Sequence, residues 1–222
     1  MLLWPVNPEI KADAPATALW LENAGKEPVT MQIRVYAWAQ VDGKNAYAPQ
    51  DEVIGTPPLF TIRAGEKQLV RLTRTTPPVD VPEASFRIVI DEIPVNDARE
   101  SAGTAVKFRM RYSLPLFVHG RAMVAAKNDP ATLAPQPALS WRIGTDASGR
   151  FLEIVNSGGV HARLVDAAFE HKGARQSIDF GLLGYVLPKS SARWPVGDEM
   201  TPGTLMARIN GGEAQVIAPA AD

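Results

Sequence analysis

The sequence predicts an all-β chain folded as two sandwich domains, and three observations carry that expectation. Nineteen prolines and seventeen glycines punctuate the 222 residues, leaving little room for helices of ordinary length. Between these breaks lie short runs rich in Val, Ile, Leu and aromatic residues. Several alternate with the period of two that places successive side chains on opposite faces of a sheet. The chain length fits two cores, each in a domain of about 100 to 150 residues.

The first half supplies six segments of strand length: 16–23, 29–41, 59–62, 67–74, 85–93 and 105–118. In the second of these Ile33, Val35 and Ala37 oppose Gln32, Arg34 and Tyr36, and in the fifth Phe86, Ile88 and Ile90 oppose Arg87, Val89 and Asp91. One face therefore reads as buried and the other as partly wet. Asp42-Gly43 is a turn pair after one strand, and Arg63-Ala64-Gly65-Glu66 reads as a hairpin loop between two more. Strands at this spacing predict a Greek-key sandwich. After Val118 the pattern stops at His119-Gly120-Arg121, and a polar stretch with prolines follows over 127–137. The domain boundary is accordingly placed to give 1–120 and 121–222. Strand signals resume at 138–146, 150–158, 162–173, 177–188, 191–196, 204–210 and 213–219, which predicts a second, smaller sandwich. Residues 165–170 have some helical propensity but span fewer than two turns between Gly159 and Gly173, so a strand is expected there.

Composition excludes several classes. Lys and Arg total 23 against 24 Asp and Glu, so no overall field recruits nucleic acid or an anionic membrane. No apolar run is long enough to span a bilayer, and the opening MLLWPVNPE lacks the regions of a signal peptide. A cytosolic or an already mature chain is expected. Cysteine is absent, which removes disulfides, thiolate catalysis and cysteine zinc sites.

Enzymatic chemistry is sought without result. The chain has no GxSxG, GxGxxG, phosphate loop or HExxH, so neither an enzyme nor a cofactor is expected. His161 and His171 are ten residues apart and His119 falls at the boundary, so all three read as solvated loop histidines rather than metal ligands. Asp91 and Glu92 are strand neighbours that point to opposite faces, and they read as structural carboxylates. For Trp4, Trp20, Trp38, Trp141 and Trp194, packing in a core or cleft outweighs a sugar-stacking platform. One segment stands apart. In AVKFRMRYSLPLFV, Val106, Phe108, Met110 and Tyr112 share one face, while Lys107, Arg109, Arg111 and Ser113 share the other. It reads either as an ordinary amphipathic surface strand or as an edge strand presented for pairing with another chain.

The order LWLEN, QIRVYAWAQ, TPPLFTIRAGEKQLVRL, FRIVIDEIPV and a strand ending LPLFV resembles the periplasmic pilus-assembly chaperones of the chaperone-usher pathway, across residues 1–118. Its most specific pieces are Thr56-Pro57-Pro58, Ile62-Arg63-Ala64-Gly65, Val70-Arg71-Leu72 and Asp91-Glu92-Ile93-Pro94. MLLWPVNPEI and the pair Phe86-Arg87 resemble the archaic branch, which serves spore-coat-U-like subunits. The resemblance implies two immunoglobulin-like β-sandwich domains set at an angle with a cleft between them, in the periplasm. It implies incomplete pilus subunits and an outer-membrane usher as partners, with no cofactor, no nucleic acid and no membrane insertion. It also implies donor-strand complementation, in which the chaperone supplies the strand that a subunit sandwich lacks. Carrying the register over from LPLFV makes Val106, Phe108 and Met110 the lent residues, with Thr104 as a fourth. The family's cationic anchors for the subunit carboxylate align with Asn7 and Pro115, neither of them basic. Arg87 is then the first anchor candidate, followed by Lys11, Arg109 and Arg111. The rival reading is an extracellular two-domain adhesion or carbohydrate-binding module.

Overall fold

The computed structural model describes residues 1–78, 80–94, 109–123 and 134–221, and their regular structure is almost wholly β-strand. The chain forms two compact units. One comprises Met1–Trp38, Tyr47–Asp80 and Ala84–Val124; the other comprises Ala39–Ala46, Val81–Glu83 and Ala125–Asp222.

Ten strands build the first sandwich: β1 (Leu2–Trp4), β2 (Glu9–Ile10), β3 (Ala16–Glu22), β4 (Val29–Val41), β5 (Lys44–Ala48), β6 (Val53–Thr56), β7 (Leu59–Ile62), β8 (Lys67–Arg74), β9 (Glu83–Ile93) and β10 (Arg111–His119). One sheet runs β1-β3-β8-β6, and the other runs β2-β10-β9-β4-β5 with β7 also on β4. Alternation makes the core. Ile33 sits opposite Ile90 and Val35 opposite Ile88, while Leu19 faces Val70 across the other sheet. Leu19, Ile33, Val70, Ile88 and Ile90 belong to one buried cluster with Leu116 and Val118, and Val35 packs against it. The other faces carry the polar partners, with Gln32 opposite Asp91 and Tyr36 opposite Arg87. Trp38 departs from this pattern. It falls on the polar parity of β4 yet is only 5% exposed, because its ring packs against Phe117 at 6.1 Å.

Asp42 and Gly43 both have positive φ, 50° and 76°, the conformation a two-residue hairpin turn requires, and they join β4 to β5. The Arg63 to Glu66 loop is not a hairpin. It leaves β7, which pairs with β4, and enters β8, which pairs with β3 and β6, so it carries the chain from one sheet to the other. Gly65 at φ 74° and bonds from Gly65 N to Asn23 O and from Asn23 N to Glu66 O hold the bend. Turn chemistry marks where the chain bends, and long-range pairing decides which strands meet.

The second unit contains β11 (Leu139–Asp146), β12 (Gly149–Asn156), β13 (Ala162–His171), β14 (Ala174–Ser177), β15 (Leu182–Val186), β16 (Ser190–Pro195), β17 (Thr204–Ile209) and β18 (Ala214–Pro219). Their order is β14-β13-β17-β18-β11-β12-β16, with β15 on β13. β18 joins the halves by pairing antiparallel with β17 and parallel with β11. Trp141 and Phe169 meet edge-on at 4.9 Å in the core, and Trp141 Nε1 donates to Ile217 O at 2.9 Å. Residues 165–170 are strand, as their short span predicts, with a register shift between Val165 and Ala168. The expected strand 177–188 is divided. β14 ends at Ser177 and β15 starts at Leu182, and the turn between them is pinned to the bulge of β13. Asp166 N donates to Gly181 O, and Gly181 N donates to Asp166 Oδ1. His161 is not a solvated loop residue. Its Nδ1 lies 3.0 and 2.9 Å from the oxygens of Glu83, a residue of the same compact unit that is 7% exposed and needs donors.

Candidate functional site

The site is built from β10 and the strands beside it. Tyr112 and Leu114 pack against the first core, and Leu116 and Val118 lie within it, so the even-numbered residues point inward. Arg111 and Ser113 are exposed on the other face. Met110 comes one step before the strand, on the apolar parity, and is 50% exposed. The expected strand 105–118 therefore starts at Arg111 in its described part. Thr104, Val106 and Phe108 lie outside the described residues.

The backbone of β10 has one satisfied side and one side that is open for part of its length. Glu92 N donates to Met110 O at 3.1 Å, so the even residues direct their main-chain groups toward β9. Phe117 N donates to Pro8 O at 3.3 Å, so the odd residues direct theirs the opposite way. There the partner strand is β2, in register only with Phe117 and Val118. Among the described residues no strand pairs with Arg111 and Ser113 on that side, and Pro115, the next odd residue, has no N–H to offer. The result is a short edge on which Arg111 and Ser113 have no strand partner among the described residues.

Charge is arranged on the outer face of the same sheet. Arg34 Nη2 donates to Asp91 Oδ2 and Arg111 Nε to Asp91 Oδ1, both at 2.5 Å. Burial pushes the Asp91 carboxyl up, but the hydrogen bonds and charges of Arg111 and Arg34 prevail and hold it below the usual carboxylate range. Glu92 instead accepts from Met110 N at 3.3 Å, so the two neighbouring carboxylates are structural, as their opposite directions predict. Burial and the nearby Glu92 charge raise the Tyr112 hydroxyl above its ordinary value. Gln32, Arg34, Asp91, Glu92, Arg109, Met110 and Arg111 line a groove of about 540 Å³ at this edge, with Ile93 and Pro94.

The anchor candidates differ in their partners. Arg87 Nε donates to Ser113 Oγ at 2.7 Å and Nη2 to Ser113 O at 3.4 Å. Its guanidinium lies over the Trp38 ring, 5.1 Å from the centroid. Every ion pair in the described residues involves another group. Arg111 is occupied by Asp91, Arg109 lines the groove, and Lys11 is an exposed residue following β2. Sequence reasoning missed Arg34 and Trp38 as site residues. The available signal was register, since pairing Gln32 with Asp91 and Tyr36 with Arg87 sets them beside the carboxylate and the cation. Of the tryptophans, Trp38 and Trp141 are buried, whereas Trp4 is 37% exposed and stacks on Trp20 at 6.4 Å. No group of three metal-ligating side chains occurs among the described residues, and no described helix is long and apolar enough to cross a membrane.

Residues 8–123, which hold β2 through β10 and every candidate just described, match the family described as pili and flagellar-assembly chaperone, PapD N-terminal domain. The chain belongs to this family. It is a periplasmic pilus-assembly chaperone of the chaperone-usher pathway and not an enzyme, which replaces the adhesion-module alternative. This chaperone is 33% identical to a protein in the crystal structure of the CsuC-CsuE chaperone-tip adhesion subunit pre-assembly complex from archaic chaperone-usher Csu pili of Acinetobacter baumannii. The match has a TM-score of 0.80 and covers 99% of each chain. The Pseudomonas aeruginosa CupB2 chaperone shares the fold at 16% identity and a TM-score of 0.64, over 99% of this chain and 100% of that one. So does a chain of the Salmonella enterica SafA pilin complex with the SafB chaperone, at 19% identity and a TM-score of 0.66, over 97% and 93%. No curated protein sequence matches the chaperone. The two separate cores are the two immunoglobulin-like sandwiches of this family.

Proposed function

We propose that the chaperone covers the open core of an incomplete pilus subunit by lending the strand that leads into β10, and hands the subunit on to an outer-membrane usher. One observation carries the reading. Met110 continues the apolar parity of Tyr112 and Leu114 but leaves its own core, at the start of a strand whose far side has no described strand partner at Arg111 and Ser113. In this reading Val106, Phe108 and Met110 fill the subunit, with Thr104 beyond them. At roughly 1.5 to 3 kcal/mol for each large side chain buried, three contribute about 5 to 9 kcal/mol before ordering costs. Residues 1–120 form the lending domain and 121–222 the second. Arg87 receives the subunit's terminal carboxylate, since it is a guanidinium beside the edge with only neutral partners. Lys11, Arg109 and Arg111 are the lesser candidates, Arg111 because Asp91 already neutralises it.

The test is subunit capture. Phe108→Asp and Met110→Asp are expected to abolish recovery of a co-expressed pilus subunit while shifting the chaperone's own unfolding free energy by less than about 1 kcal/mol. An equal loss of folding would show that these side chains belong to the chaperone's own core.

A further inference from the structure

Arg87 projects from the outer face of β9, opposite Tyr36 of β4. A guanidinium presents two hydrogen-bonding edges, one formed by Nε with one terminal nitrogen and one formed by both terminal nitrogens. Ser113 occupies the first edge, taking Nε–H on its hydroxyl at 2.7 Å and Nη2–H on its carbonyl at 3.4 Å. The Trp38 ring holds one face of the plane, at 5.1 Å, and is itself buried and packed on Phe117. With one edge and one face fixed, the direction of the remaining Nη1–Nη2 edge is fixed too. Arg34 and Arg111, on the same sheet face, are both turned onto Asp91.

We propose that Ser113 and Trp38 are positioning residues that aim the Nη1–Nη2 edge of Arg87 at a terminal carboxylate, so that the chaperone selects a strand ending in a free acid. This rests on the reading of Arg87 as the carboxylate anchor. A carboxylate accepts two parallel bonds from that edge, whereas a terminal amide offers one acceptor and sets a donor against a donor. Ser113 also directs its main-chain N–H to the unpaired side of β10, so strand pairing and acid capture converge on one residue. Its hydroxyl hydrogen stays available after accepting from Nε.

The experiment compares a fluorescent synthetic strand peptide of alternating valine and threonine bearing a free carboxylate with the same peptide amidated, titrated into the intact chaperone. The native chain is expected to prefer the acid about ten-fold, the factor that a charge-assisted bond supplies. Ser113→Ala is expected to cut that ratio to about two-fold with amide affinity unchanged, Ser113→Thr to restore it, and Arg87→Gln to remove it. Trp38→Phe, which keeps a ring beneath the cation, is expected to retain part of the preference. Hydrogen exchange at Arg87 Nε, slow in the native chain and fast in Ser113→Ala, reports the positioning without any peptide. A ratio lost in Arg87→Gln but whole in Ser113→Ala overturns the proposal and leaves the anchor reading standing. A native chain that does not distinguish acid from amide, or an Arg87→Gln chain that still does, overturns both.

Discussion

Glu153 and Asp91 show how single carboxylates organise whole strands. Glu153 on β12 sits in one cross-strand row with Arg142 and Arg193 and is 4% exposed. Burial pushes its carboxyl up, but bonds and charge from Arg193 and Arg142 prevail and hold it below the ordinary range. The same balance holds Asp91 down between Arg111 and Arg34. A carboxyl depressed in the native state binds fewer protons there than in the unfolded chain around its ordinary pKa of about 4. Its stabilisation is therefore complete above about pH 5 and is lost as the pH falls toward the native value. Glu153→Gln is expected to lower stability at pH 7 by roughly 1 to 3 kcal/mol. Its stability should then decline less steeply than the native protein's between about pH 5 and 3. Denaturant melts at a series of pH values read both effects.

At the scale of the element, β10 makes an alternating prediction. Amides of Tyr112 and Leu114 lie on the side of β9, whereas those of Arg111 and Ser113 face the unpaired side. On subunit binding the second pair is expected to gain hydrogen-exchange protection while the first pair, protected already, changes little. Residue-resolved exchange checks this, and equal gains at all four positions would remove the edge-pairing geometry. Much of this element was legible beforehand, because period two in a mixed apolar and cationic run reports two faces without further information. The bounds of β4, β7 and β8 were also readable, since β4 and β7 are dense β-branched or aromatic runs and β8 is a Leu- and Val-bearing run closely following the turn at Gly65. What the pattern could not carry was anything set by a distant partner. The role of the Arg63 to Glu66 loop depended on which sheet β8 joins. The break between β14 and β15 depended on Asp166 offering bonds to Gly181. Trp38, on the polar parity, is buried with Phe117 beside its ring and the Arg87 guanidinium over it. In the site, Arg87 was legible as a candidate, while Arg34 and Trp38 required the register of β4 against β9.

At the scale of the molecule, the two units have separate cores of comparable make-up, with Leu19, Ile33 and Ile88 in one and Leu152, Leu164 and Phe169 in the other. Leu164 is fully buried, so Leu164→Ala is expected to cost about 2 to 5 kcal/mol. The loss should appear as exposed amides in β13, β15 and β17 while those of β3 and β8 keep their protection, as read by exchange at low denaturant. With no cysteine in the chain, reductant should leave every melt unchanged. The proline within β10 has a consequence for cargo. If a guest strand pairs along this edge as proposed, Pro115 offers it no N–H at that rung, so the guest loses a main-chain bond there whatever side chains it brings. On that reading the edge is a ruler as well as a mould, gauging how far a guest runs along it before the final atoms must be received some other way.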